Sequence, residues 1–166
     1  MLPTVFLSLS GVDAKFVESV QKNLPDGIGY FYPKSFENGE NLITAMEERI
    51  GQSQVFVLFA SRASVSSVWV NFELDRARLN KIRDRKFRYL VFPIDRDVDY
   101  SMLPAWMKEG WIASAGYTAK DIARYLRGVL AGFAEQSGTV LPPLGRGGLV
   151  DRSRREHQHA VYTRAG

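Results

Sequence analysis

Trp69 and Glu73 stand four residues apart, just downstream of two adjacent serines, Ser66 and Ser67. An apolar run, Val55 to Ala60, leads into this stretch, and a charged run, Asp75 to Lys86, leads out of it. That order predicts a strand-to-helix junction. Either serine can cap the helix, because a hydroxyl accepts from the free N–H groups of a first turn. On such a helix Trp69 and Glu73 share a face. A flat indole beside a carboxylate, near the mouth of a parallel sheet, can form a ligand site. Spacing alone favours a plainer arrangement, with the indole in the core and the carboxylate in water. The elements that position the pair must decide between the two.

The length, 166 residues, suits one domain with a sizeable core. The net charge of +4 is suggestive of nucleic acid until it is located. From Gly145 onward five arginines (146, 152, 154, 155 and 164) stand against Asp151 and Glu156, a net of +3 that leaves +1 for the rest. A nucleic-acid surface needs a basic face on the fold, so direct binding by this domain is not expected. There is no cysteine, which excludes a disulfide framework and a thiolate site and is compatible with a cytoplasmic location. No run approaches the roughly 20 apolar residues of a membrane span. Met1 to Ser10 lacks a basic leader and reads as a first strand.

Thr4 to Leu9 predicts a buried strand, and Asp13 an N-cap for a helix with Phe16, Val17, Val20 and Leu24 on one face. Leu24-Pro25-Asp26-Gly27 stops that helix. Ile28 to Tyr32 predicts a second strand, followed by a long polar connection from Pro33 to Asn41. Leu42, Ile43, Met46 and Ile50 then give helical spacing. Val55 to Ala60 has no polar alternation, as expected of a central strand covered on both faces. A helix from Ser66 gathers basic residues toward its end, which suits the macrodipole. Arg88 to Ile94 predicts a fourth strand, Met102 to Trp106 a short irregular or one-turn helical piece, and Trp111 to Ala113 a short edge strand. Ile122, Tyr125, Leu126, Val129, Leu130 and Phe133 make the clearest amphipathic helix. The reading divides the chain into a domain over residues 1–135 and a linker with a charged, flexible tail over 136–166, or the start of a further C-terminal module.

Strands alternating with helices imply an α/β fold with right-handed crossovers. Five strands fit a flavodoxin-like three-layer fold, a mostly parallel sheet of order 2-1-3-4-5 with helices on both faces. In that order the switch point lies between strands one and three. The loops Ser8 to Asp13 and Ser61 to Ser67 then flank one crevice. Glu73, about six residues into its helix and roughly 9–10 Å from the helix start, can reach that crevice. The topology brings the ligand-site and the plainer readings level.

Several chemistries are absent. Gly145-Arg146-Gly147-Gly148 lacks the Lys-Ser/Thr of a phosphate-cradling loop, and no G-x-G-x-x-G follows the first strand. The only histidines, His157 and His159, lie in the tail with Glu156. No metal site is expected there, and histidine-dependent catalysis is excluded from the folded body. An aspartyl-phosphate receiver needs acids where this chain has Ser8, Ser10 and Ser61.

Val5-Phe6-Leu7-Ser8, Gly39-Glu40 in the long connection, and Val55 to Ser61 followed by Ser67-x-Trp69-x-x-x-Glu73-Leu74 resemble a TIR domain, from about residue 4 to 134. The resemblance implies the flavodoxin-like fold and identifies Pro33 to Asn41 with the BB loop, which serves self-association and gates the site in enzymatic members. Val70 stands where many members have Cys, and Pro33-Lys34 where an acidic residue is often found. Many TIR domains cleave NAD at the nicotinamide–ribose bond, and their catalytic glutamate corresponds to Glu73. Others are adaptors that only assemble signalling complexes.

The resemblance therefore implies an NAD glycohydrolase acting as a signalling or defence effector. Its substrate is NAD, it needs no cofactor, and its partners are other TIR domains and a C-terminal sensor module that brings them together. Trp69, Phe6 and Ser8 would line the substrate pocket, with Lys34 and Phe36 approaching from the BB loop. The alternative is a non-catalytic scaffold for homotypic TIR assembly. A nucleoside-processing enzyme would share the idea of a carboxylate beside a ribose but would not need assembly.

Overall fold

The computed structural model describes residues 1–32 and 39–144. The third strand, β3 (Val55–Ala60), is buried at all six positions, as an unbroken apolar run requires when both faces of the strand are covered. It pairs in parallel with β1 (Val5–Ser8) on one side and with β4 (Arg88–Pro93) on the other. Two short strands, β2 (Gly29–Tyr30) and β5 (Trp111–Ile112), close the edges. All pairings are parallel and the order is β2-β1-β3-β4-β5. The expected flavodoxin-like arrangement is thus observed, with the switch point between β1 and β3. Ser8 stands opposite Leu58 in the register.

Alternation along the strands sorts the core into two layers. Val5, Leu7, Val55, Val57 and Phe59 face α1 (Ala14–Lys22) and α6 (Ala119–Gln136). Phe6, Phe56, Leu58 and Ala60 face α2 (Gly39–Gln52) and α4 (Val68–Arg83). On α6, Ile122, Leu126 and Leu130 are buried, and Tyr125 stacks on Trp111 with ring centres 4.7 Å apart. Arg127 ties α6 to α1 by donating to the Asn23 carbonyl across 2.6 Å. On the other face Asn80 of α4 donates to the Ile50 carbonyl of α2. The basic end of α4 is in part structural, since Lys81 Nζ donates to the carbonyls of Arg85 and Phe87.

Several element bounds differ from the sequence reading. Of the connection expected over Pro33 to Asn41, the last three residues form the first turn of α2, and 33–38 lie outside the described residues. The helix expected from Ser66 is observed as α4, and the loop expected before it, Ser61 to Ser67, contains a further one-turn helix, α3 (Arg62–Val65). Ser67 caps α4, accepting from the Val70 N–H, whereas Ser66 ends α3 and donates back to its carbonyls. Asp13 occupies the N-cap position of α1 but its side chain makes no cap. A 3-10 turn at Tyr100–Met102 precedes a one-turn α5 (Ala105–Lys108). No helix among the described residues is long and apolar enough to cross a membrane. The tail from residue 145, with His157 and His159, lies outside the described residues.

Candidate functional site

β1 ends at the switch point, and its alternation decides what reaches the crevice. Val5 and Leu7 point toward α1 and α6, so Phe6 and Ser8 point toward α4. Glu73 is the sixth residue of α4 and lies on its inner face among Val70, Leu74 and Ala77, with no exposed surface. Ser8, equally buried, donates its hydroxyl to Glu73 Oε1 across 3.0 Å. The carboxylate in water, which spacing alone favoured, is therefore not observed. A buried carboxyl needs hydrogen bonds to offset its lost hydration, and Ser8 supplies one from the end of an interior strand.

Around this pair the aromatics form one wall. Phe6 is fully buried, stacked between Tyr32 at 6.1 Å and Phe56 at 5.7 Å. Trp69 lies one turn before Glu73, is half-buried, and packs against the same cluster. Tyr32 was not singled out in the sequence, although its place at the end of the second predicted strand was the available signal. Lys34 and Phe36 lie outside the described residues. The fold thus brings Ser8 and Glu73 into contact and gathers Phe6 and Trp69 on the same side of the sheet.

A second set of contacts spans the rim of the crevice. Ser61 and Ser64 form a capping box that starts α3, and Ser64 also donates to the Phe59 carbonyl. Ser61 Oγ then donates to Asp13 Oδ2 across 2.6 Å, joining the loops after β1 and β3. Burial pushes the Asp13 carboxyl above its ordinary value, the Ser61 hydroxyl opposes that, and the charge of Asp95 adds to it. Asp95 itself sits below the ordinary range, held by the backbone N–H groups of Asp97 and Arg62. Asp13 was expected to cap its own helix; its partner lies 48 residues away, which only the sheet order could indicate. Among the described residues no group of three or more His, Cys, Asp or Glu side chains is arranged to hold a metal ion.

A family model of the TIR domain matches residues 5–125, a span that contains every strand, the Ser8–Glu73 contact and the Asp13–Ser61 contact. The chain belongs to the TIR domain family. Membership supports a role in signalling and in association between TIR domains. Comparison with curated protein sequences gives no match. In this TIR domain the arrangement can hold one carboxylate oxygen in a fixed direction within a low-polarity wall. A carboxylate so held can accept from paired hydroxyls or lie beside a developing positive charge.

Proposed function

We propose that this TIR domain is an NAD glycohydrolase whose activity follows association of TIR domains, with Glu73 as its catalytic carboxylate. The observation that carries the reading is the Ser8–Glu73 hydrogen bond at the switch point of the sheet, where ligands of open α/β folds bind. Ordinary glycosidases need an acid to protonate the leaving oxygen and a second carboxylate opposite. NAD does not, because its leaving group is a cationic pyridinium. When the C1′–N bond breaks, its electron pair goes to the ring nitrogen and neutral nicotinamide departs. Water then adds at C1′ and releases a proton, giving ADP-ribose; an internal nucleophile in its place gives a cyclic isomer. One carboxylate beside the ribose suffices to hold its hydroxyls and stabilise the oxocarbenium charge. Ser8 orients that carboxylate, and Trp69 shapes the ribose pocket above the packed Phe6. Lys34 and Phe36, which lie outside the described residues, would approach the pocket from the BB loop.

Glu73 has no exposed surface, so substrate reaches it only after the side chains that cover it part. That supports control by association, with a C-terminal sensor module bringing the domains together in the cytoplasm. The same burial also favours a second reading, a non-catalytic TIR scaffold in which the Ser8–Glu73 bond is purely structural. Nicotinamide release from NAD at high, crowded protein concentration separates the two, with Glu73→Gln beside the parent. Release by the parent and none by a folded variant supports the enzyme. No release from either, even when a fused oligomer forces the domains together, leaves the scaffold.

A further inference from the structure

Helix α4 has a second face. Val68, Phe72, Asp75, Leu79 and Ile82 follow one another at intervals of four, three, four and three, the a/d spacing of a coiled-coil seam. At about 100° per residue they fall within one arc of roughly 80°. The arc is opposite Val70 and Ala77, which are buried against the sheet. Val68 is 74% exposed, Ile82 69% and Leu79 42%. Phe72, at the edge of the arc, is half-buried and packs in part against the inner cluster, and Asp75 is exposed. Scattered exposed apolar side chains are normal, but aligned ones mark a contact surface.

We propose that this seam pairs with the same seam of a second copy of the chain, the two α4 helices running antiparallel. The TIR family supports a like partner, and the charges select the orientation. In a parallel pair Asp75 would face its own copy, and the basic ends of the two helices, with Arg78 and Arg83, would lie side by side. In an antiparallel pair with its two-fold axis at the level of Ala77, Phe72 meets Ile82. Asp75 then meets Leu79, with Arg78 next to it and within reach of the carboxylate. A polar residue at one seam position fixes register at a cost in stability. Two heptads also bury less than a standard interface does. The pairing is therefore weak and concentration-dependent. It rests on the association part of the reading above and not on its chemistry. Glu73 is carried on the inner face of the same helix, so pairing restrains the element that bears it.

The test is sedimentation velocity of the full chain across a wide concentration range, with no NAD present. The parent is expected to shift from monomer toward dimer. Ile82→Glu is expected to weaken association by about tenfold or more, and Asp75→Leu to tighten it by about tenfold. Both positions are exposed, so far-UV circular dichroism should be unchanged. The chain has no cysteine, so single thiols report orientation under oxidation. Two copies of position 78 lie about 3 Å apart along the antiparallel pair, and two copies of position 68 about 27 Å. Arg78→Cys should cross-link to itself and Val68→Cys should not. A parent and an Asp75→Leu variant that both stay monomeric overturn the proposal. So do an association unmoved by Ile82→Glu and cross-linking at position 68 in place of 78. A dimer disrupted by Ile82→Glu, with no nicotinamide released even by a fused oligomer, refutes the proposed chemistry and leaves this surface standing.

Discussion

Ser8 Oγ donates to Glu73 Oε1 across 3.0 Å, joining the last residue of β1 to the second turn of α4. The two residues are 65 positions apart in the chain, and both are fully buried. The bond therefore depends on the whole β1-β3-α4 arrangement being formed.

Ser8→Ala removes the hydroxyl and leaves the Glu73 carboxyl with one partner fewer in a buried place. A lost hydrogen bond to a buried polar group costs about 1–3 kcal/mol. The expected outcome is an unfolding free energy lowered by that amount, read as a lower urea midpoint at an unchanged slope, since the change is local. If the proposed chemistry holds, nicotinamide release falls as well, because Oε1 loses the group that directs it. A variant as stable as the parent would mean that Ser8 contributes nothing net to holding the carboxyl.

On the opposite layer of the sheet a reciprocal cap starts α6. Thr118 Oγ1 accepts from the Asp121 N–H at 3.1 Å, and Asp121 Oδ2 accepts from the Thr118 N–H at 3.2 Å. The Thr118 hydroxyl, then its backbone N–H, holds the Asp121 carboxyl below its ordinary value of 3.8. A carboxylate with a lowered folded value stabilises the fold above 3.8, and that contribution is lost as pH falls through the folded value. Asp121→Asn should be less stable than the parent at neutral pH, the two converging in acid. Thr118→Ala should cost about 1 kcal/mol at neutral pH. Denaturant unfolding of both variants across pH checks the pair.

Much of this fold was legible because its signals are local. The unbroken, β-branched and aromatic run at Val55 to Ala60 reads as an interior strand, and the period of Ile122 to Phe133 reads as an amphipathic helix. What escaped depends on partners. Ile28 to Tyr32 read as a strand of five residues, yet only Gly29 and Tyr30 pair with β1. Ser66 and Ser67 both suit an N-cap, and nothing local separates them. The deciding contact is the Ser61–Ser64 box, which starts a helix one turn earlier and carries Ser where Glu or Gln is usual. Helix α4 gives no clean period because it is apolar on two sides, one facing the sheet and one facing out. The burial of Glu73 was invisible for the same reason: spacing fixed the face it shares with Trp69 but not where that face points.

The rim contact gives a pH dependence of opposite sign. Asp13 accepts from Ser61 at 2.6 Å, but burial outweighs that bond and raises its carboxyl above 3.8, with the Asp95 charge acting the same way. Between 3.8 and the raised value the folded chain keeps a proton that the unfolded chain has lost. Stability from this group therefore falls as pH rises through that window. Asp13→Asn does not titrate, and its side-chain oxygen can still accept from Ser61. Relative to this variant, the parent should lose stability as pH climbs from about 4 toward neutral. Urea unfolding at several pH values measures the difference, and the carboxyl resonance of Asp13 gives the titration directly. A difference that grows in the parent's favour with rising pH would mean that the Ser61 hydrogen bond outweighs burial, and that the rim is held by charge.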